Sequence, residues 1–163
     1  MIIPAPRISI NFRTHREMVL TRRYLYEDID KFAEMLEVSV STIKHFEKFN
    51  TPVSRNFFCE YSNALETVFD NNYFKTFRKA RMKKGLTQQK VADKLHTTSS
   101  TISKFERGLI TPSNLFIISY GLLLGIKVYA DDHQQLHFTE CKPTDENLPI
   151  EEYMKVIGSE NNQ

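Results

Sequence analysis

Seven side chains between Thr98 and Arg107 can act together. Thr98, Ser99, Ser100, Thr101 and Ser103 carry hydroxyls, and Lys104 and Arg107 carry cations. Small hydroxylated residues donate or accept hydrogen bonds and allow close approach, while the cations that follow suit phosphate groups. Upstream, Thr87 adds a hydroxyl, and Gln88 adds an amide suited to bonding a phosphate or bracing the next helix. This is the chemistry of recognition rather than of bond making. The chain has no phosphate-cradling glycine loop, no paired His/Glu metal spacing and no nucleophile elbow. Its Ser, His and Asp residues occur without a catalytic arrangement. No catalytic residue, metal or cofactor is expected, and the chain reads as a non-enzyme.

The elements that must hold these groups are short helices with tight breaks. Phe74, Phe77, Arg78, Ala80, Arg81 and Met82 recur at helical spacing, and Gly85 stops the run, as a glycine just past a helix end does. Thr87 then caps a helix from Gln88 to Leu95 with Val91, Ala92 and Leu95 on one face. Thr98 caps the next, Ser99 to Arg107, with Ile102 and Phe105 pointing inward and Gly108 at its end. Thr111-Pro112-Ser113 opens a fourth helix that runs through Leu115, Ile118, Leu122 and Leu123 to Gly125. Two short helices joined by a three-residue turn make a helix-turn-helix unit. The major groove of DNA is wide enough to admit the second helix, whose first residues then face base edges.

Charge agrees with this placement. The net charge of +2 conceals a block: residues 1–70 are net −1, residues 71–130 net +9 and residues 131–163 net −6. A concentrated basic segment is the electrostatic footprint of a phosphate-binding surface, although a solvated lysine-rich helix face gives the same count.

The segment resembles the lambda-repressor-like (Cro/XRE) family of helix-turn-helix proteins. The likeness is carried by Arg81, Gly85-Leu86-Thr87-Gln88, Val91-Ala92, Leu95, Ser100-Thr101-Ile102-Ser103-Lys104-Phe105-Glu106, Gly108 and Pro112. It implies a compact all-helical domain, five helices per copy, that often binds operator DNA as a dimer. It also implies a partly buried pair between Arg81 and Glu106, with a structural role. The turn position usually held by glycine is His96 here, which predicts a left-handed or adjusted turn.

Sliding the chain on itself by 59 residues aligns Ser41-Thr42-Ile43 with Ser100-Thr101-Ile102 and Phe46-Glu47 with Phe105-Glu106. Ala33, Leu36, Ser39 and Arg22 fall on Ala92, Leu95, Thr98 and Arg81. A second, degenerate copy is therefore expected in the first 70 residues, with Arg22 and Glu47 as its ion pair. Its surface differs. Glu27, Asp28 and Asp30 stand where a helix start should meet phosphates, and Val40 opens the recognition-helix equivalent. Lys44, His45 and Lys48 keep DNA contact open beside a role in binding a protein partner or the other copy. The short join Asp70-Asn71-Asn72 predicts that the copies pack together.

Beyond Gly125 the period becomes alternating. Ile126–Ala130 and Gln135–Thr139 read as a hairpin about Asp131–Gln134, and Ile8–Phe12 as another strand. His133 and His137 are four apart without a third ligand, so they read as surface histidines. In the acidic tail, Leu148, Ile150, Tyr153, Met154 and Ile157 fit one amphipathic helix; Ser159–Gln163 reads as disordered. The tail is either a solvated end or a clamp competing for the basic face. No apolar run approaches the roughly 20 residues of a membrane span, and Met1–Arg7 has no leader pattern. Cys59 and Cys141 are isolated and suit a reducing compartment, as buried or incidental thiols.

The expected architecture is mainly α: two tandem five-helix lambda-repressor-like helix-turn-helix domains and a short C-terminal β-hairpin. The boundaries are 1–70, 71–125 and 126–163. The expected activity is that of a sequence-specific, double-stranded-DNA-binding transcriptional regulator, a repressor by resemblance. It would be cytoplasmic, bacterial or phage-encoded, and homodimeric, with no membrane association. The alternative is a protein-interaction or inhibitor module that reuses the fold, with a partner bound through residues 1–70.

Overall fold

A computed structural model of the chain describes residues 6–67 and 72–161. The start at Met1–Ala5, residues 70 and 71 of the expected join, and Asn162–Gln163 of the tail lie outside the described residues. The first four helices are α1 (Phe12–Leu25), α2 (Ile29–Met35), α3 (Val40–Lys48) and α4 (Arg55–Ala64). The next four are α5 (Asn72–Lys83), α6 (Gln88–Lys94), α7 (Ser99–Glu106) and α8 (Asn114–Leu124). Strands β1 (Arg7–Ile8) and β2 (Val53–Ser54) pair antiparallel, as do β3 (Ile126–Ala130) and β4 (Leu136–Glu140); α9 (Pro149–Asn161) closes the chain.

The 59-residue shift holds in three dimensions at the level of local bonds. A side-chain oxygen must satisfy the free N–H groups at each helix start. Asp28 and Thr87 do this for α2 and α6, Ser39 and Thr98 for α3 and α7, and Ser54 and Ser113 for α4 and α8. Each pair is 59 apart. The turn inside each unit is closed by one bond, Val38 N–H to Ala33 at 3.1 Å and Thr97 N–H to Ala92 at 2.9 Å. It pivots on a left-handed residue, Glu37 at φ +55° and His96 at φ +56°.

Several elements differ from expectation. Each unit has four helices among the described residues rather than five. After α8, Gly125 adopts φ +81° and turns the chain into β3, where the hairpin was expected. α7 closes at Glu106, with Arg107 as its C-cap, because Gly108 at φ +72° ends the turn. The strand expected over Ile8–Phe12 is only Arg7–Ile8, because the side chain of Asn11 caps α1 and starts the helix at Phe12. β4 lies one residue later than expected, held by the Asp131 side chain accepting from the N–H groups of His133 and Gln135. Ser159–Asn161 continue α9 in helical backbone. Cys59 is exposed and Cys141 half-buried; both are free.

The core explains why the two units do not stand apart. α8 is apolar on every side; Leu115–Gly121 and Leu124 are buried, and it meets α1 of the first unit as well as α5, β3 and α9. The Asn114 amide donates to the carbonyl of Leu65 at 2.8 Å across the same junction. The hairpin turns its apolar side inward: Val128 is buried, and the ring of Phe138 meets Tyr73 and Phe77. The acidic tail then straps both units. Thr144 N–H bonds Leu122, Ile150 N–H bonds the buried Ser119 hydroxyl at 3.0 Å, and Glu152 accepts from Arg16 and Arg23 of α1 at 3.3 and 3.1 Å.

Gly121 permits the closest of these approaches. A Cβ there would lie 2.7 Å from the Ile126 carbonyl oxygen and 2.9 Å from a Val128 methyl. Backbone cannot move aside cheaply, so Gly121→Ala should cost about 1–3 kcal/mol, an overpacking cost. Urea unfolding measures it; an unchanged midpoint would show that the hairpin is not seated on α8.

Candidate nucleic-acid interface

The sequence-selected residues sit on two adjacent helices. Thr87 accepts from Lys90 N–H at 3.1 Å and so fixes the start of α6; Thr98 accepts from Thr101 N–H at 3.2 Å and fixes the start of α7. The hydroxyls of Thr98 and Thr101 are 3.0 Å apart, so each has a partner within the protein. Ser100, Lys104 and Arg107 are exposed, and Ser99 and Ser103 half-exposed. Ile102 and Phe105 are fully buried and hold the opposite face. Phe105 touches the rings of Tyr73, Phe74, Phe77, Phe116 and Tyr120 at centroid separations of 5.4–5.7 Å. The solvent face of α7 is thus hydroxyls and cations, on a helix anchored by an aromatic cluster.

The only carboxylate of α7, Glu106, turns inward. Its side chain is 2% exposed and pairs with Arg81, whose Nε lies 2.5 Å from Oε1 and Nη2 3.2 Å from Oε2. Gln88 Nε2 donates to Oε2 at 2.8 Å, and the Tyr120 hydroxyl to Oε1 at 3.1 Å. Arg81 also donates to the carbonyl of Leu86 at 2.8 Å. Gln88 therefore braces α7 from the start of α6. Tyr120 was missed from sequence, although the 59-residue shift places it on Tyr61 and could have flagged it.

The first unit repeats the pair with fewer donors. Arg22 Nη2 reaches Glu47 Oε1 at 2.6 Å, and the side chain of Glu47 is 10% exposed. Ile29 stands where Gln88 stands in the second unit. The two carboxyls respond oppositely. Burial pushes Glu47 above the ordinary glutamate range, because Arg22 only partly offsets it. Burial also pushes on Glu106, but the hydrogen bonds from Arg81, Gln88 and Tyr120 outweigh it and hold that carboxyl below the range. The signs follow. Glu106 contributes stability that is present above the ordinary carboxyl pKa and lost as pH falls through its depressed value. The contribution of Glu47 is present below the ordinary value and lost as pH rises through its raised one. Carboxyl carbon NMR titration should show Glu47 protonating first on acidification; the reverse order would overturn the assignment of donors.

A helix-turn-helix family model matches residues 77–128. These residues are a helix-turn-helix domain of the Cro/C1 type. The helix-turn-helix domain begins within α5, spans α6, α7 and α8, and ends in β3, so it contains all nine of the sequence-selected contact residues and leaves the first unit outside. It is a DNA-binding domain of the kind found in Cro/XRE-type regulators. No curated protein and no solved structure matches the chain. No helix among the described residues is long and apolar enough to cross a membrane. Those residues also contain no group of three or more His, Cys, Asp or Glu placed to hold a metal.

Proposed function

We propose that the chain is a sequence-specific regulator of transcription, a repressor, that reads the major groove of double-stranded DNA with α7. One observation carries the reading: α7 presents hydroxyls and cations to solvent while its single carboxylate is buried in a structural network. Ser99 and Ser100, in the first turn, are placed for base edges. Thr98, Thr101 and Ser103 flank them, Lys104 and Arg107 take phosphates, Thr87 fixes the start of α6 and Gln88 braces α7 from there. The repressor role is taken from the resemblance to Cro/XRE-type regulators alone. The exposed free thiol of Cys59 fits a reducing cytoplasm, on bacterial or phage DNA.

Base contacts carry sequence information, while phosphate contacts mainly carry affinity. Ser100→Ala should therefore reduce the preference for cognate over random DNA by about 1–3 kcal/mol. Lys104→Ala should weaken both equally and lower the salt slope by about 1. Selection from a random duplex pool followed by titration at several salt concentrations checks this. An unchanged preferred sequence in Ser99→Ala, Ser100→Ala and Ser103→Ala together would refute the placement.

Two assemblies serve such a domain. As a homodimer, two copies of α7 would read a palindrome with half-sites roughly 34–36 Å apart. The hairpin packs its apolar side against its own chain, which leaves the outer edge of β4 as its contribution to pairing. The other assembly uses the first unit.

A further inference from the structure

The first unit keeps a polar and basic outer face on α3, although Asp28 and Ile29 stand where the second unit has Thr87 and Gln88. α3 presents Ser41, Thr42, Lys44, His45 and Lys48 to solvent, and its only carboxylate, Glu47, is turned into the pair with Arg22. The Ser39 and Thr42 hydroxyls lie 2.8 Å apart, matching Thr98 and Thr101 of the second unit. The pairing of β1 with β2 brings Arg7 beside α3. A groove of about 680 Å³ follows, lined by Arg7, Ser41, Thr42, His45 and Asn56, with Glu60 the one carboxylate among its described lining residues. Arg55, exposed at the start of α4, adds a further cation.

The acidic stretch at the start of α2 weighs less than its composition suggests. Glu27 is paired with Lys127 of the hairpin. Asp28 is the helix cap and accepts from the N–H groups of Asp30 and Lys31. Glu27 is thus offset by a cation, while Asp28 and Asp30 keep their charge at the start of α2.

The contact pattern fixes how the two heads are related. A two-fold arrangement requires every contact to occur twice, so α1 on α8 would be accompanied by α5 on α4. α1 packs on α8 and β3, and no comparable α4–α5 contact exists among the described residues. The units are therefore not related by a two-fold axis, and α9 straps that arrangement through Glu152 and Ser119.

We propose that α3 is a second reader of double-stranded DNA, held in the same body as α7 without two-fold symmetry, so that one chain reads two unlike half-sites that do not form a palindrome. This rests on α7 being a DNA reader. Because the heads differ at Val40 against Ser99 and His45 against Lys104, the half-sites differ in sequence.

The experiment uses the full chain and duplexes selected by it from a random pool. Light scattering of the complex should give one chain per duplex, and footprinting should cover two unlike half-sites about 10 base pairs apart. Lys44→Ala with Lys48→Ala should weaken binding roughly tenfold or more at physiological salt and lower the salt slope by about 2. Ser41→Ala should relax preference in one half-site only. Unchanged melting temperatures of these surface variants keep the reading on DNA rather than folding. Two chains on a palindrome overturn the proposal, as do α3 variants with wild-type binding; a first unit that instead retains a protein partner would be consistent with that failure. Loss of binding in the α3 variants but not in Ser100→Ala or Lys104→Ala would overturn the reading of α7 instead. A chain that retains no duplex overturns both.

Discussion

Glu106→Ala should lower the stability of the chain by about 3–5 kcal/mol, the cost of leaving a buried charge without its partner. Four hydrogen bonds converge on this carboxylate, from Arg81, Gln88 and Tyr120, and they tie α5, α6 and α8 to the end of α7. Its removal strands the Arg81 guanidinium and frees α7 to rock. Thermal unfolding should show a markedly lower Tm, with DNA binding lost in step. Normal melting with abolished binding would make Glu106 a DNA contact and end its structural role. Glu47→Ala should cost less, since its carboxylate is already poorly compensated.

Phe105→Ala should be comparably severe, about 3–5 kcal/mol for a large aromatic cavity, or about 6–20 °C in Tm for a chain of this size. Phe46, its counterpart 59 residues earlier, is packed against His15, Phe57 and Tyr61. Phe46→Ala should shift the same transition by a similar amount, because α8 belongs to both cores. Calorimetry of both variants checks this. Two resolved transitions, each moved by one substitution alone, would show two independent domains joined by a passive interface.

The second unit was legible because its signals are local. Thr87, Thr98, Gly85, Gly108 and Gly125 cap or end helices through bonds within a few residues, so their types announce the boundaries. The repeat carried the same caps into the first unit, where composition alone was unhelpful. What sequence did not show depends on distant partners. The pairing of Glu27 in the acid stretch with Lys127, 100 residues away, was not visible in the sequence. The helices that cover the apolar side of the hairpin, α5, α8 and α1, were likewise not visible beside it. Gln88 had two readings, and only the position of Glu106 decides between a phosphate contact and a brace in the unbound chain. The tail offered a clamp over the basic face; its helix is instead seated on α1 and α8, and Asp145 meets the second unit at Lys94, the last residue of α6.

The strap has a consequence for how the chain is made. Arg16 waits for Glu152, a partner 136 residues later. A ribosome synthesises from the N-terminus, at roughly 5–20 residues per second. The first unit is therefore complete in sequence long before α8 and α9 emerge to cover α1. For several seconds the apolar side of α1 has only its own unit as shelter. The nascent chain should bind holdase chaperones until α8 and α9 have left the exit tunnel. Emergence of α9, rather than completion of the first unit, should then be the moment at which α3 and α7 acquire fixed positions.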